Sequence, residues 1–213
     1  MSVVHAAAPL VPRRVGKWLF FAVLAALAVT AIQADEGFLF NRADPEWAHI
    51  ARFQWWLLPH GLAGATALLI GPFQFSDSLR RTRPALHRQM GRIYVGAICI
   101  AALLSIYITL VFEPRPFQVE IWAQGGGWFL CAILALVFAM KRNIVLHRQW
   151  VARSYGFTFI FIAARVPDAF HVHWKDAVDF VTYLWSLTFL AAIVPDLLLQ
   201  WPALLSGRAR ARS

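Results

Sequence analysis

A chain of 213 residues with 60% apolar and 15% charged residues falls well short of the roughly 25% charge of an average soluble domain, which excludes an ordinary water-soluble globule. Its net charge of +9 sits in separated clusters between apolar runs, which excludes a nucleic-acid-binding face and reads instead as membrane topology signals. Cys99 and Cys131 each lie inside an apolar run; they form neither a disulfide framework nor a metal pair and read as small core residues.

In chain order, residues 1–16 form an N-terminal segment, 17–202 a six-helix transmembrane domain with its core at 55–170, and 203–213 a basic tail. The first apolar run, Trp18 to Ile32, follows Arg13, Arg14 and Lys17. It reads as an anchor helix, longer than the ~7–15 apolar residues of a signal peptide, although Ala31 to Ala34 would allow cleavage. An acidic loop with Asp35, Glu36, Asp44 and Glu46 leads to a second span, about Trp55–Phe75. The third span covers about Ile93–Phe112, and a short loop holds Glu113, Arg115 and Glu120. The fourth covers about Ile121–Met140, the fifth Trp150–Val166 and the sixth Phe180–Trp201. Each approaches the ~20 residues that a helix needs to cross a bilayer core. Continuous rather than alternating apolar runs indicate helices and exclude a barrel. The fold class is therefore all-α, a polytopic membrane helix bundle. Trp55, Trp56, Trp122, Trp128, Trp150 and Trp174 fall near span ends, as interfacial aromatics do.

Two loops repeat a tetrapeptide: Leu86-His87-Arg88-Gln89 and Leu146-His147-Arg148-Gln149 are identical and 60 positions apart. Both loops, the N-terminal segment and the tail are rich in Lys and Arg, and the other loops are acidic or mixed. The positive-inside rule then places both termini and both repeated loops in the cytoplasm. Spans three and five both follow the tetrapeptide, so the unit reads as a repeated hairpin with a pseudo-two-fold axis along the membrane normal. Spans two to five form the expected four-helix core.

Helical phase aligns His147, Ser154, Thr158 and Arg165 on one face of span five, and His87, Tyr94 and Ser105 on one face of span three. Polar stripes within spans turn toward the bundle interior. Span one has none and is expected at the periphery. In span two, His60, Gly64, Ala67 and Gly71 share a face that suits either close helix packing or a flat ligand. Pro72 is expected to kink that helix and to free a carbonyl near Gln74.

His5 lies in an N-terminal start expected to be disordered and is set aside, and His49 is expected at the surface of an outer loop. His171 and His173 suit a surface pair or a shared metal. His87 and His147 occupy equivalent positions and allow three readings. They could ligate a b-type haem, with Arg88 and Arg148 on its propionates and His60 available for a second site with His171. They could anchor anionic lipid at the cytoplasmic face, or line a substrate or quinone pocket. Arg165 either snorkels to the headgroups, holds an anionic group, or pairs with Asp168 or Asp179. With Gln74, Tyr94, Ser154 and Thr158 it forms a candidate ligand-binding set. Asp196, near the inner end of span six, either sits at the interface or pairs with an Arg of either basic loop.

His60-Gly61-x-x-Gly64, Gly71-Pro72-Phe73-Gln74-Phe75, Leu86-His87-Arg88-x-x-Gly91-Arg92-x-Tyr94, His147-Arg148-x-Trp150, Arg153-Ser154-Tyr155 and Arg165 together resemble a bacterial family of multi-pass membrane proteins that carry a domain of unknown function. The layout distantly resembles transmembrane di-haem b-type cytochromes, a likeness of fold. It departs from them because only His60 lies clearly inside a span. The resemblance implies the inner membrane of a bacterial cell and no established activity. The expected function is b-type haem binding and electron transfer near the cytoplasmic face, with a quinone or redox partner. The alternatives are a lipid-binding accessory protein and a small-molecule transporter or binder. No nucleophile elbow, phosphate loop or HExxH motif is present, which disfavours hydrolase and nucleotide chemistry.

Overall fold

The computed structural model describes residues 47–169 and 177–205, with six isolated positions before them (22, 23, 26, 27, 29 and 43); at 168–169, 177–178 and 202–205 it describes the backbone alone. The bulk of the first expected span, the acidic residues 35, 36, 44 and 46, the His171 and His173 pair, Trp174 and the basic tail lie outside the described residues.

Every described element is helical: α1 (Trp47–Ile50), α2 (Gln54–Gln74), α3 (Asp77–Thr82), α4 (Pro84–Phe112), α5 (Arg115–Met140), α6 (Ile144–Ala163), α7 (Val166–Ala169) and α8 (Ala177–Leu205). Among the described residues four helices are long and apolar enough to cross a bilayer: α2, α4, α5 and Asp179–Trp201 within α8. Of the six spans read from the sequence, the second, third, fourth and sixth are thus found, and most of the first lies outside the described residues. The 20-residue α6 falls outside that set because His147, Arg148, Gln149 and Arg153 lower the hydropathy of its first half. It is nevertheless integral to the bundle.

Helices α2, α4, α5 and α6 close a ring in that order, and α8 packs outside it against α6 and α5. This ring is the four-helix core expected of spans two to five. Its centre is built from small residues, Ala67, Ala97, Ala101, Ala102, Ala132 and Ala135, with Ile98, Tyr94, Trp128 and Phe157 between them. Small side chains let helices approach closely where lipid supplies no hydrophobic drive for association. Trp128 is thus a core residue and not an interfacial one. Leu27 packs on Leu68 and Ile162.

Both repeated tetrapeptides are helical, where the sequence reading placed loops. Pro84 opens α4 after Arg83, and Asn143 caps α6 by accepting from Leu146 N at 3.1 Å. The His87 amide bonds Arg83 O at 3.0 Å and the His147 amide bonds Asn143 O at 2.9 Å. Proline at the first position is preorganised for a helix, and Asn is a favoured N-cap. Both signals lie upstream of the tetrapeptides and extend each helix beyond its apolar run. Only Glu113 and Pro114 separate α4 from α5, so Glu120 lies inside a helix and not in a loop.

Helix α2 runs unbroken through Pro59 and Pro72. Pro72 lacks the N–H that would bond the carbonyl four residues back, so it frees Leu68 O rather than a group near Gln74. Tyr155 Oη donates to that carbonyl at 3.3 Å. The same ring fills the space above Gly71, where an added Cβ would collide with it. Tyr155→Phe is expected to lower stability by about 1 kcal/mol through the unpaired carbonyl, read as a fall in melting temperature of the detergent-purified protein.

Candidate functional site: two ends of the bundle

A knot of hydrogen bonds occupies the middle of the ring. Tyr94, Ser154 and Thr158 are 2%, 0% and 1% exposed. Tyr94 Oη lies 3.0 Å from Ser154 Oγ and 3.2 Å from Thr158 Oγ1, and Trp128 Nε1 donates to Thr158 Oγ1 at 3.0 Å. Thr158 spends its own proton on Ser154 O at 3.0 Å. Each hydroxyl has one proton and two lone pairs, so the directions follow: Tyr94 donates to Thr158, and Ser154 donates to Tyr94. The expected inward stripes therefore meet here, with Tyr94 of α4 and Ser154 of α6 in direct contact.

At one end of the knot lie the tetrapeptide residues. His147 Nδ1 donates to Ala135 O at 2.8 Å, since a carbonyl only accepts. His87 Nδ1 and Gln74 Nε2 are buried without a hydrogen-bond partner among the described residues. Gln74 lies over Gly91, one turn from His87, where an added Cβ would stand 3.1 Å from its Oε1. Arg88 and Arg148 are exposed. Asp196 forms a bidentate pair with Arg153, at 3.0–3.1 Å, while Arg153 stacks over Trp150 at 4.4 Å. Its partner is thus an arginine inside α6 and not one from a basic loop.

At the other end a cavity of about 380 Å³ opens between α2, α4, α5, α6 and α8. Its wall includes Phe53, Phe117, Trp128, Phe157 and Phe161, and its polar groups include His60, Ser105, Thr109, Gln124 and Arg165. His60 Nδ1 donates to Ala101 O at 2.8 Å. This bond fixes the tautomer with the lone pair on Nε2. Arg165, just beyond α6, donates from Nη1 to Phe161 O at 2.8 Å and lies 4.4 Å over the Phe161 ring. Gln124 Oε1 is buried without a partner among the described residues. Glu113 also lines the cavity, and there His49 Nε2 donates to it at 3.0 Å while accepting Arg52 at Nδ1, 3.0 Å away. His49 is therefore tied into the mouth of the cavity, beyond the surface role expected of it. Among the described residues no group of three or more His, Cys, Asp or Glu side chains could hold a metal ion.

Sequence reasoning brought Tyr94, Ser154 and Thr158 together, and put Arg165 at the opposite end from His87 and His147. It missed Gln124 and Glu113 as cavity residues and Glu120 as a buried one. Gln124 carried one usable signal, a lone amide within an apolar run.

Residues 57–203 match a family described as predicted membrane protein, a domain of unknown function designated DUF2306. The chain belongs to the DUF2306 family. The match takes in the knot, nearly all of the ring and the His87 end, and at the cavity end it begins after His49, Arg52 and Phe53. No curated protein matches the chain, and no solved structure does.

Proposed function

We propose that this DUF2306 protein is a membrane-embedded binder of a small, flat, amphipathic molecule with oxygen functions, of the quinone or quinol class. The observation that carries the reading is the His60 side chain. Its Nδ1 is committed to Ala101 O, so Nε2 presents a lone pair to a ring hydroxyl. Arg165, on the same cavity, presents donors to a carbonyl oxygen. Apolar aromatic walls with a few convergent polar groups are the usual make-up of a small-molecule site. The basic residues Arg81, Arg83, Arg88, Arg92, Lys141, Arg142 and Arg148 are exposed at the opposite end. They support an orientation with that end in the cytoplasm of a bacterial inner membrane, against anionic lipid.

Titration of the detergent-purified protein with ubiquinone-1 and its quinol, read by thermal unfolding, tests this. A ligand at a hundred times its Kd stabilises by about 2.7 kcal/mol. The shift is expected to vanish in His60→Gln and in Arg165→Gln. No shift with either form, or a shift kept by both variants, overturns the reading.

A second reading, b-type haem between His87 and His147, is favoured by one observation. The His147 Nδ1–H bond to a backbone carbonyl is the outer-shell contact that a ligating imidazole makes. Its partner candidate, His87, has a buried Nδ1 with no partner. The two helices that carry them, α4 and α6, face each other across the ring. A Soret band lost in His87→Ala supports it; colourless protein after haem-supplemented expression removes it.

A further inference from the structure

Glu120 is a fully buried carboxyl in an apolar bundle, 0% exposed, between α5 and α8. Its Oε1 accepts Thr188 Oγ1 at 2.7 Å, and its Oε2 is buried with no partner among the described residues. An ionised carboxylate with one hydrogen bond and no cation costs several kcal/mol in such a place. One turn along the same face of α5, Gln124 Oε1 is likewise buried and unpartnered. Side chains four residues apart on a helix are neighbours, about 5–6 Å between Cβ atoms. Neither oxygen has a donor among the described residues, and a proton on Glu120 Oε2 would serve both. Among the described residues, the charged groups at this end of the surrounding elements are Glu113 at the end of α4, Arg115 at the start of α5, Arg165 beyond α6 and Asp179 near the start of α8. None of them is hydrogen-bonded to the Glu120 carboxyl, whose bond is to Thr188.

We infer that Glu120 is an intramembrane proton-binding site, a neutral carboxylic acid whose Oε2–H donates to Gln124 Oε1. Gln124 also lines the cavity. A ligand hydroxyl that engages its Oε1 competes with Glu120 for the same acceptor, so proton and ligand occupancy are linked. That link rests on the cavity being a binding site; the proton site itself does not. Glu120→Gln mimics the protonated form, because an amide can accept from Thr188 and donate to Gln124 in the same places.

Infrared spectroscopy of the full chain in phosphatidylcholine vesicles, without any added ligand, reads the proton directly. At neutral pH a carboxylic-acid C=O band is expected. It should be absent in Glu120→Gln, shift to lower frequency in D2O, and shift to higher frequency in Gln124→Leu as its hydrogen bond is lost. Absence of an acid band that depends on Glu120 overturns the proton site, as does its disappearance when sodium chloride replaces choline chloride, which would mark a cation site. A band unmoved by Gln124→Leu overturns the shared proton. Adding ubiquinol-1 then tests the link: the band is expected to move in the wild type. If the thermal titration shows binding and the band stays fixed, the link fails while the cavity reading stands.

Discussion

Gly156→Ala is expected to lower the stability of the detergent-purified protein by about 1–2 kcal/mol, even though alanine is the better helix former. Gly156 lies in α6 where α8 crosses it, and an added Cβ would stand 2.8 Å from Ala191 O and 2.8 Å from Pro195 Cγ. Neither neighbour is the end of a flexible chain, so α8 has to move away from α6. Overpacking of this kind costs about 1–3 kcal/mol, against about 0.5–1 kcal/mol gained by replacing glycine within a helix. Gly126→Ala supplies the opposite sign, because its Cβ meets nothing within 4 Å and only the gain remains. Paired melting curves check both. A Gly156→Ala protein as stable as Gly126→Ala would mean that α8 is not seated as described.

Thr158→Val is the second large effect. Valine keeps the shape of threonine and removes the acceptor used by both Trp128 Nε1 and Tyr94 Oη. Interhelical hydrogen bonds within membranes average only about 0.6 kcal/mol, but a buried donor left unpaired costs about 1–3 kcal/mol. With two donors stranded, a loss of about 2–3 kcal/mol is expected from thermal or denaturant unfolding. Ser154→Ala removes a donor and leaves Tyr94 with an unfilled lone pair, so it should cost less than half as much. Equal losses would show that the bond directions derived for the knot are wrong.

The bundle was legible in the sequence because continuous apolar runs and basic loops follow directly from the bilayer. The knot was legible because polar residues inside such runs keep helical phase, which put Tyr94, Ser154 and Thr158 on inward faces. Boundaries were less legible. Hydropathy ends where charge begins, but a helix ends where its capping chemistry ends. Pro84 and Asn143 therefore carried α4 and α6 outward past His87 and His147. The same effect hid Glu120: close to Glu113 and Arg115 it looked like loop chemistry, while α5 had already begun at Arg115. The acceptor for Tyr155 was hidden for another reason. A proline's missing N–H is visible in sequence, but the side chain that answers the freed carbonyl lies 87 positions away.

The knot also settles how the interior is divided. Four side chains on three helices close a cross-section that the surrounding alanines already narrow, with Tyr94 at its hub. The cluster stands between the cavity beside His60 and the end of the bundle that carries His87 and His147. A path along the axis of the ring would run into Tyr94 and the two hydroxyls that hold it.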